Sequence, residues 1–374
     1  MERGYITMSM KEIGRLEVLE QVASKRITQV EAARRLGLSR RQVIRLSQQL
    51  KRLGAPGLVS KRRGQASNNR LCDVLKAQVI ELIKKHYPDF GQTLAHEKLT
   101  EQHQLMLSVE SCRRLMIEAG IWKGKKRKSA HVHQMRLRRP CVGELIQIDG
   151  SPHDWFEGRA PKCTLLVFID DASGRLMTLH CEPEESTNGY MTATKQYVLT
   201  HGIPVAYYSD RHGIFRVNIK EARTGTGETQ FSRALRELGI SLINANSPQA
   251  KGRVERANAT LQDRLVKELR LRGVSDIVSA NKFLPEFIVD YNRRFAVVPA
   301  SSVDAHRQII PERKILDLIL CQRHQRTITK NFEIHYNNKI YQIQTPKKGY
   351  TLRGSKVQVC DNSGDVTIIC KGKA

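Results

Sequence analysis

Glu144-Leu145-Ile146-Gln147-Ile148-Asp149 reads as a short apolar strand that ends on a carboxylate, and the segments around it set the architecture. Residues 163–169 are a continuous apolar run of strand length, the pattern of a buried strand. They lead into Asp170-Asp171-Ala172-Ser173-Gly174, whose Asp171, Ser173 and Gly174 suit a hairpin turn, and residues 175–181 form the return strand. A helix is expected over residues 187–201, and residues 204–209 make a fourth strand running up to Asp210. The first three strands are read as antiparallel, with the fourth beside the first. In that order Asp149 and Asp210 come to adjacent strand ends.

A third acid lies on a helix. Ser247-Pro248-Gln249 reads as its start and Leu271 as its approximate end. Val254, Ala257, Leu261, Leu265 and Leu269 recur at three and four residues and form one buried stripe. Lys251, Glu255, Asn258 and Gln262 fall on another face at one-turn steps. Glu255 can therefore face the two strand-end aspartates.

The 374 residues carry 63 Lys and Arg against 37 Asp and Glu, a formal charge of +26. An excess of that size attracts phosphate backbones or anionic lipid. There is no basic amphipathic helix beside an apolar anchor and no run of about 18 apolar residues to span a membrane, which leaves nucleic acid as the expected partner. Residues 1–11 lack the apolar centre of a secretion signal. The eight cysteines are scattered without a CxxC pair, which excludes zinc-ribbon and thioredoxin-like readings and suits a reducing, cytoplasmic setting.

The charge is concentrated. Eleven Lys and Arg and no acid fall within residues 32–72, and eight more with no acid within residues 122–139, the footprint of a polyanion track. In the first block Thr28-Gln29-Val30-Glu31 has the form of a capping box opening a helix to Leu36. Gly37 supplies a tight turn, and Ser39-Arg40-Arg41-Gln42 opens a second helix in the same way. Ala33, Gly37, Val43 and Leu46 fall where a helix-turn-helix needs a small residue, a turn glycine and two buried apolars. Arg40, Arg41, Gln42 and Arg45 then face outward, placed for major-groove base edges and phosphates. Helical patterns over residues 74–85, 93–102 and 110–119 suggest a second, winged-helix-like unit. The expected divisions are 1–65 (helix-turn-helix), 66–121 (second helical unit), 122–140 (basic linker), 141–320 (α/β core) and 326–374 (small all-β domain).

Taken singly, each of the three acids is a turn former or a helix-surface charge. Together, on strand, strand and helix, they repel unless a cation sits among them. Mg²⁺ or Mn²⁺ takes oxygen ligands, and two such ions clamp the attacking and leaving oxygens of a phosphodiester. No side-chain nucleophile is then required.

Ile146-Gln147-Ile148-Asp149, Tyr208-Ser209-Asp210-Arg211-His212-Gly213-Ile214-Phe215 and Ser247-Pro248-Gln249-Ala250-Lys251-Gly252-Arg253-Val254-Glu255-Arg256-Ala257-Asn258 resemble the three catalytic segments of the DDE transposase and retroviral-integrase superfamily. With Tyr87-Pro88-Asp89-Phe90-Gly91 and the helix-turn-helix front end, the chain resembles bacterial insertion-sequence transposases of the ISNCY type over nearly its whole length. The resemblance implies a ribonuclease-H-like core with Asp149, Asp210 and Glu255 as catalytic metal ligands. It implies Lys251, Arg253, Arg256 and Asn258 as contacts to DNA ends. The activity implied is binding of terminal inverted repeats, 3′-end cleavage and strand transfer into target DNA, with double-stranded DNA as partner and a homo-oligomer in the synaptic complex. A non-catalytic helix-turn-helix regulator and a Mg²⁺-dependent nuclease that never joins ends are the alternatives.

The chain departs from the family in places. Forty-four residues separate Asp210 from Glu255, longer than the usual gap, and the excess lies in residues 216–228, where a surface insertion is tolerable. Arg211-His212 stands where an asparagine is usual, and His212 is read as shaping the loop. Asp170 and Asp171, rival carboxylates, are read as turn and structural residues. His131, His133 and Cys141 are too sparse for structural zinc. At the tail, residues 332–336 and 339–344 flank Asn337-Asn338, and residues 356–360 and 366–370 flank Asp361-Asn362-Ser363-Gly364, two hairpins that suit a small SH3-like barrel.

Overall fold

A computed structural model describes residues 6–65, 70–124, 137–217, 228–245, 252–344, 352–362 and 364–370. They belong to two compact units, Met1–Gly124 and Lys125–Ala374.

The first unit begins with α1 (Met10–Ala23), α2 (Gln29–Leu36), α3 (Arg40–Leu53) and a 3₁₀ turn at Ala55–Leu58. Helix α1 opens on a reciprocal capping box: Ser9 Oγ accepts from the Glu12 N–H at 3.4 Å, and the Ser9 N–H donates to Glu12 Oε2 at 2.8 Å. At the two boxes expected from sequence only the hydroxyl half forms, Thr28 accepting from the Glu31 N–H at 3.2 Å and Ser39 from the Gln42 N–H at 3.3 Å. The Glu31 carboxylate accepts from Arg34 and Arg35 instead, because a stronger, charge-assisted partner lies within one turn. Gly37 adopts φ 62°, as the turn requires. Leu19, Ala32, Val43, Leu46 and Leu58 form the core, with Ala32 rather than Ala33 at its centre.

Helices α4 (Asp73–His86), α5 (Gln92–His103) and α6 (Val109–Glu118) enclose a second core that includes Val79, Ile83, Tyr87, Phe90 and Met116. Among the described residues this part has no strand, and the segment after Gly124, where a wing would follow α6, lies outside them.

The second unit is built on a five-stranded sheet of β1 (Ile146–His153), β2 (Cys163–Asp170), β3 (Leu176–Glu182), β4 (Ala206–Ser209) and β5 (Ser241–Asn244) in the order β3-β2-β1-β4-β5. The first three strands are antiparallel, and β4 and β5 continue in parallel after α7 (Thr187–His201) and α8 (Gln230–Glu237). This is the mixed ribonuclease-H-like order expected from sequence. Strand β1 runs on past Asp149 to His153, paired with β2 throughout, so Asp149 is mid-strand and not at a strand end. Gly150 and Pro152 look like breakers, but β4 pairs with β1 at Ile146 and Gln147 only, and beyond β4 a proline has no ladder bond to spoil.

Helices α7 and α8 cover one sheet face, where Ile146, Ile148, Leu166 and Phe168 pack on Tyr190, Tyr197 and Phe231. Helices α9 (Gly252–Leu271) and α10 (Ile277–Phe295) cover the other, where Leu165, Val167 and Ile169 pack on Val254, Leu261, Leu265 and Leu284. All five residues of the expected α9 stripe are buried. Each fully buried leucine contributes roughly 1.5–3 kcal/mol.

Two asparagines of α10 bond the free edge of β3. Asn292 accepts from the Leu176 N–H and donates to the Leu176 carbonyl, both at 2.8 Å. Asn281 does the same at Cys181, at 2.7 and 2.9 Å. On the α7 side, Tyr197 Oη lies 2.6 Å from His306 Nε2, and His306 Nδ1 lies 2.5 Å from Asp304. A Cβ on Gly143, at φ 78°, would come within 2.4 Å of that imidazole, so this position admits only glycine.

The chain ends in α11 (Arg313–Ile319), β6 (Gln322–Thr327), β7 (Glu333–Tyr336), β8 (Lys339–Gln342), β9 (Lys356–Asn362) and β10 (Asp365–Ile369). Both expected hairpins form, with Asn337 and Asn338 at φ 49° and 57° in the first turn. The strands make a three-stranded sheet, β10-β9-β6, and a separate two-stranded one, and among the described residues they do not close into an SH3-like barrel. Strand β6 starts ahead of the expected boundary at 326 and bonds to the core, the Gln230 side chain pairing with both backbone groups of Arg323 at 3.0 Å. No described helix is long and apolar enough to cross a membrane.

Candidate active site

Alternation along β1 turns Gln147, Asp149 and Ser151 toward α9. Each bonds to that helix one turn further on. The Val254 N–H donates to Gln147 Oε1 at 3.2 Å, Asn258 Nδ2 to Asp149 Oδ2 at 2.9 Å, and Gln262 Nε2 to Ser151 Oγ at 3.1 Å. Two strand residues advance about 6.6 Å and four helix residues about 6 Å, so strand and helix stay in step over three rungs. Glu255 follows Val254 directly and stands exposed on α9.

Asp210 comes just after β4, and its Oδ1 accepts from the backbone N–H of His212 at 2.9 Å, a bond that does not involve the imidazole. Asp149 and Asp210 are both half-buried. The phenol of Tyr190, on α7, is raised well above its usual range, first by burial, then by Glu185, and also by Asp149 and Asp210. It stays protonated and donates to Glu185 Oε1 at 2.7 Å. The Glu185 carboxyl lies against Gly150, where a Cβ would sit 2.6 Å from its carboxyl carbon.

The two expected rival acids hold the scaffold. Asp170 accepts from the Gly143 N–H at 3.1 Å and from the Ser173 N–H and hydroxyl at 2.7 and 2.6 Å. Asp171, with no exposure, accepts from Gln147 Nε2 at 2.8 Å, Arg253 Nη1 at 2.5 Å and the Arg139 N–H at 2.9 Å.

Among the described residues no three His, Cys, Asp or Glu side chains gather as a metal site, so Asp149, Asp210 and Glu255 are not drawn together as a closed triad. The donor set nonetheless fits a hard divalent ion. Mg²⁺ is commonly held by one or two carboxylates, with water and phosphate oxygens completing the shell. The Oδ1 of Asn258, whose other amide atom holds Asp149, is buried without a hydrogen-bond partner.

The expected DNA contacts are placed unevenly. Arg256 is exposed, Asn258 is half-buried on Asp149, and the Arg253 side chain is 18% exposed against Asp171. Lys251 lies outside the described residues, as do Ser247, Pro248, Gln249 and Ala250, His131 and His133, and most of the 216–228 insertion. On α3, Arg40, Arg41 and Arg45 are exposed and Gln42 is half-buried. Arg41, Gln42 and Arg45 line a shallow groove with Ser39, Ile44 and Gln48. Among the described residues those three arginines pair with no acid, whereas Arg34 and Arg35 are taken by Glu31.

Gln147, Glu185 and Tyr190 are not among the expected site residues, and Asp171 is expected only as a rival acid with a structural role. Gln147 carried a signal, an amide between two isoleucines and two residues before Asp149. Glu185 and Tyr190 carried none.

A helix-turn-helix domain family matches residues 15–66. The chain is 50% identical over 327 residues to y4bF of Sinorhizobium fredii, named as a transposase, covering 87% of this chain and 71% of that one. It is 29% identical over 390 residues to the transposase for insertion sequence IS1202 of Streptococcus pneumoniae, covering 94% and 82%. Among solved structures, the HTLV-2 integrase catalytic core domain in complex with magnesium matches 44% of this chain and 95% of its own at 18% identity, with a TM-score of 0.31. A likeness of that score carries nothing further.

Proposed function

This chain belongs to the transposases of bacterial insertion sequences, and we propose that it cuts the 3′ ends of its element and joins them to target DNA at a centre formed by Asp149, Asp210 and Glu255. The observation that carries the reading is the bond from Asn258 to Asp149. It ties the helix bearing Glu255 to the strand bearing Asp149, beside the loop bearing Asp210. Asp149 and Asp210 would hold Mg²⁺ or Mn²⁺, with Glu255 joining when DNA is bound; two ions suit the chemistry. A bound ion polarises the phosphodiester and activates the attacking hydroxyl. Asn258 orients the Asp149 carboxylate, and Tyr190 keeps Glu185 turned to a neutral hydroxyl.

Arg40, Arg41, Gln42 and Arg45 would read the terminal inverted repeat, and Lys251, Arg256 and Asn258 would lie along the DNA end. Two ends must be handled together, so a homo-oligomer carries out the joining.

The test is a strand-transfer assay with labelled duplex carrying the element's end, supercoiled target DNA and Mg²⁺ or Mn²⁺. Joined products from the native chain, and none from Asp149→Asn or Glu255→Gln, are expected. Nicking without joining would leave a nuclease. Tight end-binding with no cleavage in either metal would leave a regulator and overturn the reading.

A further inference from the structure

The first N–H groups of a helix have no partner within it and are commonly met by a capping side chain just ahead. In α9 one of them, on Val254, is met across the interface by the Gln147 side chain of β1. Gln147 has no exposure, and its other amide atom donates to Asp171. Asp171 is equally buried and also takes the guanidinium of Arg253, the residue before Val254. One buried carboxylate and one buried amide thus hold two consecutive residues at the start of α9, and the next residue is Glu255. Gln147 is also two residues from Asp149. The same pair of groups thus touches both elements of the proposed centre.

We infer that Gln147, Asp171 and Arg253 are positioning residues that set Glu255 relative to Asp149, with Arg253 serving this bracket and not the DNA. This rests on the catalytic reading above. Arg253 carries no more formal charge than Arg256 three residues on, so sequence treats them alike. Their surroundings separate them: Arg253 is largely covered and bonded to a fully buried acid, while Arg256 is exposed.

The test compares Arg253→Gln with Arg256→Gln on the full chain, using a labelled element-end duplex and a random duplex of equal length. For Arg253→Gln, end-DNA Kd should stay within about twofold and the salt slope of binding should be unchanged, while kcat for nicking falls about 10- to 100-fold, as a misplacement near 1 Å can produce. For Arg256→Gln, Kd should rise and the salt slope fall by about 1, the loss of one phosphate contact. A weaker Kd and reduced slope for Arg253→Gln would overturn the inference.

Thermal unfolding guards against simple misfolding. Gln147→Glu sets two acceptors against each other, and Asp171→Asn removes the charge that Arg253 meets; each should lower kcat about tenfold or more while thermal unfolding and end-DNA Kd stay close to those of the native chain. An unchanged kcat in both variants would overturn the bracket. If the native chain neither nicks nor joins, the catalytic reading fails, and the Kd and salt-slope comparison still decides whether Arg253 touches DNA.

Discussion

Asn258 on α9 and Asp149 on β1 are joined by a 2.9 Å hydrogen bond that forms the middle rung of three between that helix and that strand. Asn258→Ala should lower stability by about 1–3 kcal/mol, because Asp149 loses a donor at a half-buried site. Asn258→Asp replaces the donor with a second carboxylate. Its melting temperature should fall further in chelator and recover on adding Mg²⁺ or Mn²⁺, since an ion that binds only the folded state stabilises it. Equal melting shifts for both variants, unaffected by metal, would count against an ion beside Asp149.

Gly150→Ala should destabilise the core by about 1–3 kcal/mol, because its new methyl must displace the Glu185 carboxyl 2.6 Å away. The loss should shrink in Gly150→Ala/Glu185→Ala. A double-mutant cycle in urea reads the coupling directly, and strict additivity would mean that the two groups do not meet in solution.

The N-terminal unit should lose stability in acid through Glu12. Its carboxyl is held at about 2, against an ordinary 4.5, first by the Ser9 N–H, then by the Ser60 N–H with burial opposing, and then by Arg63. The unfolded chain takes up this proton at higher pH than the folded one does. The contribution is therefore full above 4.5 and is lost as pH falls from there to about 2. Glu110, held at about 2 by Arg113 and Arg114, adds a second such group. Glu12→Gln should flatten the slope of stability against pH in that window, as followed by circular dichroism. An unchanged slope would sink the assignment.

Arg41→Ala and Arg45→Ala should each weaken binding to the element end and reduce the salt slope by about 1 if the residue meets phosphate. A residue that reads a base should instead lose discrimination between end and random duplex. Neither change, for both residues, would place the DNA elsewhere than on α3.

The core was legible where one physical signal dominated. Apolar runs bounded by turn residues gave β2 and β3 nearly to the residue, and the three-and-four spacing of Val254 to Leu269 gave both α9 and its buried face. The misses came where a local signal met a tertiary one. Strand β1 is expected to stop at Asp149, yet β2 pairs it on to His153. Strand β6 is not among the expected strands, because Gln322-Arg323-His324-Gln325 has no apolar alternation; its place is set by β9 and by Gln230.

The site divides in the same way. Asp149, Asp210 and Glu255 are proposed as the centre because motif and element type agree. Arg253 and Arg256 could not be told apart, since only the folded chain brings Asp171 to one of them. Glu185 meets Gly150 through a turn whose path no residue pattern encodes.

The α10 asparagines that bond β3 have a consequence for solubility. An exposed edge strand is a template on which a second chain can add, and natural sheets blunt such edges with charge, proline or a covering element. Here the carboxamides of Asn281 and Asn292 occupy the backbone groups of Leu176 and Cys181 that an incoming strand would need. The seal is made by side chains of α10, so it survives only while that helix stays docked. Loosening α10 would unmask an adhesive edge, and the damage would be seen as concentration-dependent precipitation before any loss of helix content.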